Sequence, residues 1–198
     1  MNVIRNGTIT AGFDEMRPLM SGGKPVSPEK RWHKHGSCDV TGGDGLARSP
    51  VDGIAQGFVI FRVPGGAWAA KEKSLITEIP WSNYFQDIYG AVIAIIEKKT
   101  NRLHLLTHFW PEEILDGSAK STVHFKYQDY IETAAYGQFP AHMMRTAKVE
   151  VEAGDILAPI GAAGQVSGPT GLHVHWETHH SAKKLDDYTD RINPKEYL

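Results

Sequence analysis

The chain has a single cysteine, Cys38, among 198 residues. That excludes an intrachain disulfide framework and any zinc site built from several cysteines. It also lacks long apolar runs. The longest, residues 91–96, is far short of the ~20 residues a membrane span needs, so no membrane-spanning segment is expected. Neither sign of charge dominates: 21 Lys plus Arg face 23 Asp plus Glu, for a formal net charge of -2. A broadly basic nucleic-acid binder or membrane-surface binder is therefore excluded, and no nucleic-acid partner is expected. The opening residues, MNVIRNGTIT, lack the apolar core of a signal peptide. Several site signatures are missing too. There is no HExxH, no P-loop, no GxGxxG after a strand and no GxSxG elbow, and neither Ser37 nor Ser167 sits in a nucleophile motif.

What is present is histidine, 10 copies in all. Histidine is the commonest metal ligand and the usual acid/base group near neutral pH. The chain is also broken often, by 20 glycines and 11 prolines. Between the breaks lie short apolar or alternating stretches, which argue for strands rather than a helical bundle. The expected strands are residues 8–13, 57–63, 90–98, 102–110, 155–161 and 172–177, and residues 98–101 read as a hairpin turn. Two stretches fit this pattern poorly, residues 64–89 and 111–146. The second is expected to carry short helices near 112–115 and 127–135. Both read as insertions on one β scaffold, because neither has enough apolar residues for a core of its own. The expectation is one domain over residues 1–198, mainly β, with a central groove and two long, partly helical insertions. At about 150 residues per domain the length agrees.

The histidine spacing narrows the chemistry. His173 and His175 lie in Gly-Leu-His-Val-His-Trp-Glu, where residues two apart on a strand share a face. They form a metal half-site or two polar residues on a solvated face. His35 and Asp39, four residues apart, offer a second half-site with Gly36 letting the chain bend. His33 is a rival ligand. Cys38 beside them reads as a small buried hydrophobe. Alternation along residues 102–110 puts His104, Leu106 and His108 on one face, with Leu103, Leu105, Thr107 and Phe109 on the other. His108, near a strand end, either lines a cleft or is a half-exposed strand residue, whereas His104 reads as structural. His124, His142, His179 and His180 carry no spacing signal, and Glu177 reads as a structural strand-end residue.

Taken in order, these pieces resemble the lysostaphin-like (LytM-type) zinc endopeptidases of bacterial cell walls. Ile9–Phe13 with Arg17-Pro18 is similar to that family's opening strand and turn. Residues 31–39, with His35 and Asp39, resemble its His-x3-Asp motif. Residues 49–53 and 57–59 resemble the next turn and strand, and residues 105–108 a strand ending in a catalytic histidine. Residues 151–164 resemble the glycine-rich hairpin, 171–177 the His-x-His signature, and 193–198 the closing Asn-Pro segment. The resemblance implies one Zn²⁺ per chain, held by His35, Asp39 and His175. It makes His108 and His173 the catalytic pair, and peptide bonds in peptidoglycan stem peptides or cross-bridges the substrate. It further implies action on the cell wall, by a phage-encoded or otherwise non-classically released enzyme or by part of a longer exported chain. The alternative on the same scaffold is an inactive, zinc-keeping cell-wall-binding or phage structural protein. The chain departs from the pattern where Ser37 stands in place of a glycine, where Ala158 replaces a hairpin glycine, and at both insertions.

Overall fold

A computed structural model describes residues 3–18, 20–21, 24–25, 32–62, 91–136, 139–163, 171–181 and 190–198. Within them the fold is mainly β. The strands in the first half are β1 (Gly7–Ala11), β2 (Met16–Pro18), β3 (Met20–Ser21), β4 (Lys24–Pro25), β5 (Trp32–Lys34), β6 (Cys38–Gly42), β7 (Leu46–Arg48) and β8 (Gly53–Arg62). Those in the second half are β9 (Ala91–Glu97), β10 (Leu103–Phe109), β11 (Tyr127–Tyr136), β12 (Phe139–Thr146), β13 (Val149–Val151), β14 (Ile156–Pro159), β15 (Val174–His179) and β16 (Arg191–Ile192). Ten of them form one antiparallel sheet with the spine β1-β6-β15-β10-β9-β8-β12-β11; β13 pairs with β8 and β16 with β15. β7 and β14 make a small second sheet.

The Val/Ile-rich runs at β8 and β9 pair over seven registered positions, from Gly53↔Glu97 to Val59↔Ala91. The turn expected at residues 98–101 joins β9 to β10, with Asn101 at φ 59. Cross-strand register sorts the two faces of the sheet. Val40, Val174, Trp176, Leu106 and Ile93 fall on one face and are fully buried, in a single apolar cluster that also takes in Ala47, Leu157 and Ala158 from the small sheet. Cys38 lies opposite Trp176 on this face, buried in the same cluster, and burial raises its thiol pKa. His104 also faces this side, fully buried. Its Nδ1 accepts the indole N–H of Trp176 at 3.3 Å, and burial lowers its pKa to about 4. Its role is packing, as read from sequence.

The insertion at 111–146 is not the partly helical excursion expected. A short π-helix, Glu113–Gly117, follows β10, but the helix expected over residues 127–135 is strand. β11 and β12 form an antiparallel hairpin that extends the main sheet through β12 and β8. The physical reason lies in Tyr130, Ile131 and Thr133, residue types that favour a pleated, half-buried surface. Isoleucine 114 of the π-helix packs over Gly57, where an added Cβ would sit 2.4 Å from its side chain. The other expected insertion, 64–89, lies outside the described residues. Among the described residues no helix is long and apolar enough to cross a membrane.

Candidate metal centre

Register brings the expected ligands together. On the face opposite the core, Asp39 of β6 pairs with His175 of β15, which pairs with Thr107 of β10. Directly opposed residues on antiparallel strands share a face. His35 reaches the same point from the segment before β6. One ligand atom each from His35, Asp39 and His175 lies within 4.8 Å of the others, and this trio could hold a metal ion. Asp39 Oδ1 is 2.9 Å from His175 Nδ1 and 3.3 Å from His35 Nε2. His35 and Asp39 are buried and His175 is half-buried. For His33 the structure describes only backbone pairing with Arg17, and its side chain lies outside the described residues.

The second nitrogen of each ligand imidazole is tied off. His35 Nδ1–H donates to the Gly12 carbonyl at 3.2 Å, and His175 Nε2–H donates to Glu177 Oε1 at 3.0 Å. These partners fix each ring's orientation and leave His35 Nε2 and His175 Nδ1 turned to the centre. Such outer partners are typical of metal-binding histidines. Glu177 Oε2 also accepts from His179 Nε2 at 2.9 Å, and Arg191 lies 3.4 Å from Oε1. Burial works against a charge on Glu177, but the bonds from His175 and His179 outweigh it and hold the carboxyl well below the usual range. Asp39 behaves likewise: burial raises its pKa, and the bonds with His175 and His35 bring it far down. Burial also disfavours charge on His175, yet the Asp39 and Glu177 carboxylates raise its imidazole to about 9. Two carboxylates around one imidazole favour positive charge at this point, a condition that a metal ion could meet in place of that proton.

His108 and His173 stand beside the trio. Ring centroids are 4.8 Å apart for His108–His173 and 5.7 Å for His108–His175. Here the structure corrects strict alternation. His108 does not share the core face with His104 and Leu106. The register between β10 and β9 slips between Leu106 and Phe109, a β-bulge that inserts one residue and re-aims the next side chain. At the bulge His108 has φ 73, a left-handed conformation that costs a non-glycine residue on the order of 1–3 kcal/mol. Its Nδ1–H donates to the Ala163 carbonyl at 2.9 Å, and His173 Nδ1–H donates to the Gly171 carbonyl at 3.0 Å. In the His108 ring this leaves the lone pair on Nε2. Burial, with the neighbouring His175 and His173, lowers the His108 pKa to about 4, so this imidazole is neutral.

The bulge depends on Gly161. A Cβ there would sit 2.2 Å from the His108 carbonyl oxygen and 2.9 Å from the Trp110 nitrogen. Both are backbone atoms and yield poorly. Gly161→Ala is expected to cost about 1–3 kcal/mol, as overpacking does, and to lower the melting temperature by several degrees. Melting identical to wild type would contradict this close approach.

Of the histidines without a spacing signal, His124 and His180 are exposed. His179 is buried and belongs to the Glu177 network, which spacing alone did not single out. Alternation carried two and four residues past His175 reaches Glu177 and His179, so the signal was present. No family model and no curated protein matches the chain.

Proposed function

We propose that the protein is a zinc-dependent endopeptidase that hydrolyses peptide bonds in peptidoglycan stem peptides or cross-bridges, of the lysostaphin-like (LytM-type) kind. One observation carries the reading: His35, Asp39 and His175 cluster their ligand atoms, a second pair, His108 and His173, packs beside them, and each of the four imidazoles is secured at one ring nitrogen. Two histidines and an aspartate suit zinc, whose catalytic sites use three protein ligands and keep a fourth position. His35, Asp39 and His175 would hold it. When bound, zinc makes water more acidic and polarises a carbonyl.

The chain's own residues do the rest. His108 and His173 lie ring to ring beside the trio, each tied at Nδ1 to a backbone carbonyl, which matches a pair that takes a proton from the attacking water and returns it to the leaving amine. The water adds to the carbonyl, the C–N bond breaks, and the proton taken from water goes to the new amine. The bulge holds His108 in a conformation that packing alone would not select, as strain at working sites often does. A binding protein on the same scaffold would have no use for a second histidine pair with His108 held under strain.

The choice of peptidoglycan rests on the ordered motifs, from His35-x3-Asp39 to His173-x-His175. Digestion of purified cell walls from several bacteria, with mass analysis of the fragments, tests it. The expected products carry new amino and carboxyl termini within stem peptides or bridges. Intact peptides with cut glycan strands, or no fragments with zinc-loaded protein, would overturn it.

A further inference from the structure

Ser37 stands between the two ligand residues His35 and Asp39, where the resembling motif has glycine. Its side chain is fully buried. Its hydroxyl oxygen is 2.7 Å from His35 Nε2 and 3.2 Å from His175 Nδ1. These are the two nitrogens that face the centre. Asp39 Oδ1 touches the same pair, at 3.3 Å and 2.9 Å. Donors around one tetrahedral ion, with bonds of ~2.0–2.1 Å, lie about 3.3 Å from one another. The Ser37 oxygen therefore bears the same relation to the two nitrogens as the Asp39 oxygen does.

We propose that Ser37 Oγ is a fourth protein donor to the metal, a neutral cap on the position a three-ligand site leaves open. The inference rests on the metal reading above but not on the peptidase activity. A hydroxyl is a weaker donor than imidazole or carboxylate, so it holds the ion at rest and gives way to a stronger oxygen. A glycine at this position could not do so. The consequence is a centre that binds metal more tightly than three ligands would and admits substrate by exchange at one position.

The test uses the whole chain and cobalt(II) as the probe. Ser37→Ala is expected to bind cobalt about tenfold more weakly than wild type, an effect on the scale of losing a supporting metal contact. Ser37→Cys, nearly the same size, is expected to bind more tightly under reducing conditions. It should also show a near-ultraviolet thiolate-to-cobalt charge-transfer band. Wild type and Ser37→Ala both retain Cys38, which lies in the core cluster, and neither should show the band. Thermal melts establish that each variant is folded, and Ser37→Ala decides the question if Ser37→Cys is not. Cobalt affinity of Ser37→Ala within twofold of wild type overturns the proposal. So does a cobalt-loaded Ser37→Cys without the band. Wild type that binds no cobalt overturns the metal reading itself, and is distinguished by failing before any variant is compared.

Discussion

Replacing His108 by alanine is expected to leave one metal ion bound and to reduce wall digestion by about 10²–10⁴-fold, the usual contribution of one acid/base group. The separation of the two effects follows from geometry. His108 is held by Ala163 at Nδ1 and lies against His173, outside the trio whose ligand atoms cluster. The φ 73 backbone gives no compensating relief, because alanine tolerates that region no better than histidine does, so the variant should lose only the stability that the vacated side-chain space costs. Metal content measured beside turnover checks the division. Loss of metal in step with activity would make His108 a ligand and remove the acid/base role assigned to it.

Replacing His175 by alanine is expected to abolish metal binding, the largest effect on the centre. This imidazole is the hub: its Nδ1 faces Asp39 at 2.9 Å and its Nε2 faces Glu177 at 3.0 Å. Its removal deletes a ligand and leaves two buried carboxylates without their shared partner. Each keeps other partners, His35 for Asp39 and His179 with Arg191 for Glu177, so the cost is expected to fall below the ~3–5 kcal/mol of a fully broken buried pair. The variant should therefore melt lower as well as bind no metal. His180→Ala, at an exposed position, should change neither property. Equal metal content in the two variants would remove His175 from the centre.

Much of this was legible in the residues. The period-two rule placed His173 and His175 together, and the four-residue interval placed His35 with Asp39; the structure joins both half-sites across β6 and β15. The glycine and proline breaks marked five of the ten strands of the main sheet, β1, β8, β9, β10 and β15, and β14 of the small one, within a few residues at their ends. What strict alternation missed was the bulge at His108. A one-residue slip moves a side chain to the other face, and nothing in Leu-Leu-Thr-His-Phe announces it. Gly161, which makes room for that bulge, lies 53 positions further along, and such an approach is set by tertiary packing. The hairpin at residues 127–146 departs from expectation for a different reason. Its Tyr, Ile and Thr content favours strand, but the long polar context around it suggested an excursion from the sheet rather than two further strands on its edge. Sequence presents Glu177 as a strand-end residue because one of its partners, Arg191, becomes a neighbour only once β15 and β16 pair.

The central claim is that His35, Asp39 and His175 hold one zinc ion on which peptide hydrolysis depends. Its most direct test is a zinc titration of chelator-stripped protein, following the release of amino groups from purified cell walls at each addition. The account predicts no release from stripped protein, a linear rise with zinc, and a break at one equivalent per chain. Amino-group release undiminished by stripping, or none at any zinc ratio with zinc bound, would contradict it.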